Sequence, residues 1–220
     1  GETSVDCGGE CGCRATFEVV PLKGIAAGTT FSQVKGMSRD GKRLGGDLGR
    51  NRSAYPAAIA FDGTVTELET YGKGGSVAAL SSDGNVVVGS MGCANPPTCS
   101  DATWSMAQWT GTAAPKVIGF PGNPRSISSS GGIIAGDYFD GVTQGFIING
   151  NQRTSIPDMD WVSGVTPDGK YVAGRLRNQV QGGLWFAQTQ TTTKIGVLSW
   201  TSTTLNAVNG TDPAVVGSGY

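Results

Sequence analysis

The chain has 220 residues, 16 basic and 17 acidic, with no histidine and a formal net charge of −1. Charges this evenly mixed leave no broad footprint for nucleic acid or an anionic membrane, and the missing histidine removes the commonest general base and the commonest metal ligand. With 36 glycines, 15% charged residues, no window of 18 apolar residues and no sustained 3.6-residue pattern, the composition suits short strands joined by turns and argues against a membrane span or a long helix.

Five cysteines open the reading in chain order: Cys7, Cys11 and Cys13 near the start, then Cys93 and Cys99. Cys93-Ala-Asn-Pro-Pro-Thr-Cys99 encloses a Pro-rich loop without hydrophobic periodicity, a loop that gains from a disulfide in an oxidising compartment. That pairing leaves one of Cys7, Cys11 and Cys13 unpaired or linked to another chain. A zinc site is not expected there, because Cys-x3-Cys-x-Cys lacks the usual paired spacing and no histidine completes it. Gly1 follows no charged-then-apolar leader, so the chain is expected to be mature, with any signal peptide removed.

A repeat then runs along the chain. Val87-Val88-Gly89 is preceded by the turn Asp83-Gly84, and the pattern recurs as Arg43-Leu44-Gly45-Gly46, Ile134-Ala135-Gly136, Val172-Ala173-Gly174 and Val215-Val216-Gly217. The marker glycines 46, 89, 136, 174 and 217 are separated by 43, 47, 38 and 43 residues. The turns upstream are Asp40-Gly41, Asp83-Gly84, Gly131-Gly132, Asp168-Gly169 and Asn209-Gly210. Asp-Gly between extended runs predicts a type I′ hairpin, whose two central residues both need positive φ. A short strand precedes each turn, as in Val34–Ser38 and Trp161–Val165. A third strand with a bulky residue follows (Ala58–Phe61, Met106–Trp109, Gly145–Ile148, Gly183–Phe186), then a weaker fourth (Val65–Leu68, Lys116–Ile118, Arg153–Ile156, Thr193–Ile195). Four antiparallel strands at a period near 40 residues make the blade of a β-propeller.

The fifth unit ends after its first two strands, and Ala15–Gly24 matches the missing half. The expected fold is therefore all-β: a single five-bladed propeller spanning 1–220, with units at about 33–72, 76–119, 125–157 and 161–196. Residues 16–28 and 204–220 would share the last blade. Sharing ties down both termini and removes an open edge.

The Ser/Thr-x-Asp-Gly-(apolar run)-Gly unit, clearest in Ser81–Gly89 and Thr166–Gly174, resembles the bacterial extracellular HAF-type repeat family. The resemblance implies a secreted or surface-exposed propeller and supplies no shared catalytic residues. The Asp and Gly are adjacent, so this is not the sialidase Asp-box.

In a propeller the loops joining strands two to three and those joining blade to blade share one face, opposite the Asp-Gly turns. Residues Arg50–Tyr55, the Cys93–Cys99 loop with Trp104, Asp137–Asp140 and Arg175–Asn178 belong to that face, as do Cys7, Cys11 and Cys13. The blade-to-blade connections carry one aromatic each: Phe31, Tyr71, Phe120, Trp161 and Trp200. Such rings can fill the wedge between blades, burying roughly 150–250 Å² apiece, or offer stacking area to a sugar or peptide. Packing is the commoner role for any single ring. The candidate ligand-binding residues are Trp161, Trp200, Tyr71, Phe120, Tyr138, Asp158, Asp160 and Arg175, with the two tryptophans foremost because polar residues flank them. Asp137, Asp158 and Asp160 are the only set resembling a glycosidase carboxylate pair. No nucleophile elbow, phosphate loop or metal-binding helix is present, and no cofactor or catalytic residue is expected. The Asp-Gly turns are too poor in oxygens for calcium. Asn51-Arg52-Ser53 and Asn209-Gly210-Thr211 fit the N-glycosylation pattern.

The expected function is a secreted binding propeller presenting its loop face to glycan or protein. A structural or assembly subunit of an extracellular filament, layer or particle is the alternative, motivated by the odd cysteine. A glycan-degrading enzyme is third.

Overall fold

The computed structural model describes residues 21–51, 53–71, 73–92, 104–177, 179, 181–195, 203–209 and 214–219. For Phe31 and for 203–209 and 214–219, Val208 apart, it describes the backbone only. Among the described residues all the regular structure is β. The first sheet runs β1 (Phe31–Met37), β2 (Arg43–Arg50), β3 (Ser53–Ala60) and β4 (Val65–Glu67). The second runs β5 (Gly75–Leu80), β6 (Val86–Gly92), β7 (Trp104–Thr110) and β8 (Lys116–Ile118). The third is β9 (Asn123–Ile127), β10 (Ile133–Asp140), β11 (Val142–Asn149) and β12 (Gln152–Ile156). The fourth is β13 (Met159–Val165), β14 (Tyr171–Leu176), β15 (Gly182–Phe186) and β16 (Thr191–Ile195). Each is antiparallel in sequence order, and β17 (Thr203–Asn209) pairs with β18 (Ala214–Gly219) in a two-stranded sheet.

Successive sheets stack face to face. The first strands form a continuous series, β1 against β5, β5 against β9, β9 against β13 and β13 against β17. The core fills the wedges between sheets because β-branched and aromatic side chains alternate along strands buried on both faces. Between the second and third sheets lie Val88, Met106, Ile118, Ile127, Ile134, Phe146 and Ile148. Between the third and fourth lie Ala135, Ile147, Ile156, Met159, Val162, Val172 and Trp185. Val208 of β17 closes on Ala173 and Leu184 of the fourth sheet.

The hairpin joining the first two strands is built differently from the type I′ turn expected. Among the described residues only Asn51, Tyr71 and Gln190 have positive φ without being glycine, so the turn aspartates do not. Gly84 N–H donates to Ser81 O (2.9 Å), which places Ser81 first and Gly84 last in the turn, with Gly84 alone at positive φ (66°). Ser81 Oγ–H donates to Asp83 Oδ1 (2.6 Å) and accepts Val86 N–H (2.9 Å), while Asp83 Oδ1 also takes Asn85 N–H (2.9 Å). Ser38 with Asp40 and Thr166 with Asp168 repeat the network, and Ser128 with Ser130 gives a looser version. The motif selects its serine and aspartate because their short side chains satisfy backbone groups the turn leaves open.

These turns also join the sheets. Arg39 N–H donates to Ser82 O (2.8 Å), Ser82 N–H to Ser129 O (3.1 Å) and Ser129 N–H to Pro167 O (3.0 Å). The series ends at Pro167, which has no N–H to give. A Cβ on Gly84 would lie 2.7 Å from Arg43 Cβ of the preceding sheet, so that glycine serves the joint as well as the turn.

Residues 16–28 are expected in the last blade, and 16–20 lie outside the described residues. Among the described residues, Lys23 instead forms a parallel bridge with Thr64. Its N–H donates to Gly63 O (2.7 Å) and its C=O accepts Val65 N–H (2.9 Å). Leu22 packs on the core of the first sheet, and Lys23 pairs with Asp62 at 3.7 Å. The short outer strand β4 leaves a free edge there, and an unpaired row of backbone groups is a ready partner for passing chain.

Candidate functional site

Every described first strand carries an extra residue at the same place, and β13 carries a second, Asp160, between Met159 and Trp161. Register breaks between Val34 and Gly36, Val77 and Ala79, Pro124 and Ser126, Val162 and Gly164, and Leu205 and Ala207. The residues left unpaired are Lys35, Ala78, Arg125, Ser163 and Asn206. A bulge of this kind bends the strand and re-aims one position. The marker glycines are its counterpart: a Cβ on Gly46, Gly89, Gly136 or Gly174 would overlap the carbonyl oxygen of Gln33, Ser76, Asn123 or Trp161.

Lys35, Ala78 and Arg125 line one polar cavity of ≈ 430 Å³, together with Ser76, Ser90 and Asn123. Its charges are internally matched. Asp47, buried, accepts Ser76 Oγ–H (2.9 Å) and Val77 N–H (2.7 Å) from the second sheet and lies 3.9 Å from Lys35 Nζ. Asp137, also buried, accepts Arg125 Nε–H at 2.7 Å and Nη2–H at 3.4 Å.

Arg125 links this cavity to Trp161. Its guanidinium carbon sits 3.8 Å from the centre of the indole, an arrangement worth about 0.5–1 kcal/mol where solvent reaches it. Trp161 lies inside β13, opposite Arg175, rather than in the connection before it. It is 41% exposed, so the guanidinium covers one part of the ring while another stays open. Next to it Arg175 Nε–H donates to Asp160 Oδ1 at 2.7 Å. The surface beside Arg125 thus combines an open indole with two arginine–carboxylate pairs.

The other candidates divide. Tyr138 is only 6% exposed; its ring is part of the core between the second and third sheets, its hydroxyl meets Ser155 Oγ at 3.1 Å, and Arg153 lies over it at 4.2 Å. Tyr138, expected as a ligand contact, packs in the core instead, because strand alternation turns it inward while its neighbour Phe139 is exposed. Phe120 is partly buried against the same core with Arg153 at 5.3 Å. Tyr71 is exposed at the top of its connection, with φ of 52°. The Asp158 side chain is exposed and its carbonyl accepts Arg177 N–H at 2.7 Å. Trp200 and the cysteines Cys7, Cys11, Cys13, Cys93 and Cys99 lie outside the described residues.

Asp137 and Asp160 are each held by an arginine, which is the geometry of anchoring charges rather than of a free acid and base facing across a substrate. Among the described residues no group of three His, Cys, Asp or Glu side chains is arranged to hold a metal ion. Two further exposed aromatics, Trp104 and Phe139, flank the joints between second and third strands. The sequence placed both in loop-face segments, but nothing in it separated an outward ring from an inward one.

No protein-family model matches the chain, and no curated protein sequence matches it. Solved structures do. An Agrobacterium tumefaciens protein assigned as TolB superposes with a TM-score of 0.59 at 13% identity, covering 80% of this chain and 69% of its own. A chain from a nidogen/laminin complex gives 0.55 at 12% identity, covering 85% and 72%. TolB from Acinetobacter baumannii gives 0.54 at 11% identity over 86% of this chain, which spans 51% of that protein. The likeness, with the radial order of four-stranded antiparallel sheets, shows a β-propeller fold.

Proposed function

We propose that this chain is a secreted, non-enzymatic binding propeller of the HAF-repeat type, with five blades, that presents its loop face to a glycan or a protein. The observation that carries the reading is Trp161: a partly open indole, stacked by Arg125, beside the Asp160–Arg175 pair. Aromatic faces supply contact area at low entropic cost, and arginine pairs fix polar groups around them. Tyr71, Trp104 and Phe139 extend an exposed aromatic rim on the same side. The pair β17–β18 repeats the bulge and register of the other first two strands, which supports counting it as the inner half of a fifth blade.

The test is capture on a glycan array and by pull-down with extracellular material, comparing the chain with Trp161→Ala and Trp200→Ala. Binding lost in the variants while folding is retained supports the site; unchanged binding overturns it.

One observation bears on assembly, the second reading. Val34 and Met37 are 54% and 63% exposed, whereas Val77, Ile127, Val162, Val165 and Val208, at the equivalent places in the other sheets, are buried. The same apolar face would meet the fifth blade in a closed ring, or a second chain in an assembly.

A further inference from the structure

The loop after β14 carries a guanidinium of which two nitrogens find no hydrogen-bond partner among the described residues. Arg177 is half-buried, and its Nε and Nη2 atoms are buried without a hydrogen-bond partner. Its backbone is fixed: Arg177 N–H donates to Asp158 O (2.7 Å), Leu176 N–H to Gln181 O (2.8 Å) and Gln179 N–H to Leu176 O (3.2 Å). Leu176 beside it is buried in the core between the third and fourth sheets. A charged group left unpaired in a half-buried setting is costly, and it calls for a partner that solvent or a ligand supplies.

Arg177 lines a cleft of ≈ 380 Å³ with Asp158, Gln179, Thr192 and Lys194. The edge formed by Nε and Nη2 is the side of a guanidinium that takes both oxygens of a carboxylate in parallel. Lys194 adds a second positive charge, and Thr192 and Gln179 add neutral groups able to bond hydroxyls. Asp158 keeps the cleft near a single net positive charge, which suits one carboxylate better than a phosphate.

From this we infer that the cleft is a binding subsite for a carboxylate-bearing sugar, a hexuronic acid residue, with Arg177 gripping the carboxylate through its Nε–Nη2 edge. The subsite deepens the reading of the loop face as a binding face and rests on it. It lies toward the outer strand β16, whereas Trp161 sits in the innermost strand of the same sheet.

The test is amide chemical-shift titration of the full chain with D-glucuronate, with D-glucose as the neutral sugar and N-acetyl-L-glutamate α-amide as a peptide-like carboxylate. Saturable shifts at 176–179 and 191–195 with glucuronate, absent with glucose and weaker with the glutamate derivative, are expected. Arg177→Lys, which keeps the charge and loses the fork, should weaken binding at least tenfold, and Arg177→Met should abolish it with no loss of thermal stability. Equal shifts with glucose, tighter binding of the glutamate derivative, no saturation, or unchanged binding in Arg177→Lys would each overturn the assignment. Trp161→Ala separates the two sites: glucuronate binding that survives in it, with polymer capture lost, leaves both standing. Capture that persists in Trp161→Ala sinks the indole site and not this one.

Discussion

The carbonyl oxygen of Trp161 occupies the space into which a Cβ on Gly174 would project. One contact thus ties the recurring glycine of the second strand to the bulge of the first, and the bulge brings Arg125 to Asp137 and Trp161. Lengthening any marker glycine pushes the first strand outward at the mouth of the cavity.

Gly89→Ala and Gly174→Ala are therefore expected to destabilise the chain by about 2–3 kcal/mol, the upper range for overpacking, since a backbone carbonyl cannot swing aside. Gly132→Ala is the control. Its Cβ would meet nothing closer than Ser130 Oγ at 3.5 Å, and an effect within about 0.5 kcal/mol is expected. Urea denaturation measures both.

Arg125→Met leaves Asp137 buried without its partner, and breaking such a pair costs about 3–5 kcal/mol when fully desolvated. Solvent reaches Arg125, so about 2–3 kcal/mol at neutral pH is expected. Adding Asp137→Asn should recover part of the loss, because the stranded charge is then gone. A double-mutant cycle that sums without coupling would show that the pair does not hold the mouth together.

Acid should loosen the turns. The Ser81 hydroxyl and the Asn85 N–H hold the Asp83 carboxyl below its ordinary value, and the Thr166 hydroxyl does the same for Asp168. At Asp40 the Lys42 N–H leads and Ser38 follows. A carboxyl depressed on folding stabilises the chain fully above its unfolded pKa of about 3.9. That stability drains as pH falls through the lowered folded values. Melting temperature should hold from pH 7 to about 4.5 and then fall, and Asp83→Asn with Asp168→Asn should flatten the fall. A profile unchanged in the double variant would place the acid sensitivity elsewhere.

The open face of β1 separates ring closure from assembly. Under closure, Val34→Asp puts a carboxylate between two blades of one molecule, so a monomer of lowered stability is expected. Under assembly the same change gives a stable monomer from a larger species. Light scattering coupled to size exclusion, read beside thermal unfolding, distinguishes them.

The repeat was legible because each of its residues answers to a local demand. Ser81 and Asp83 cap open backbone groups, Gly84 takes the positive φ, and Val86–Val88 form a strand buried on both faces. The turn type was misread for a reason within the same motif: Asp-Gly alone predicts type I′, while the serine two residues earlier draws the aspartate inward and leaves only glycine at positive φ.

The candidate site was legible only in part. Alternation placed rings and charges on one face but could not say that Tyr138 turns inward and Phe139 outward. Nor could it show that Arg125 stacks on Trp161 from the neighbouring sheet. Sequence by itself determined the strands, the positions of the turns and their period, because backbone hydrogen bonding and glycine's freedom act over a few residues. Tertiary structure alone decided which glycine faces a carbonyl, which arginine finds a carboxylate, where Arg177 lies without one among the described residues, and where Lys23 finds an edge. Those contacts join residues from separate strands and sheets, and nothing local fixes them.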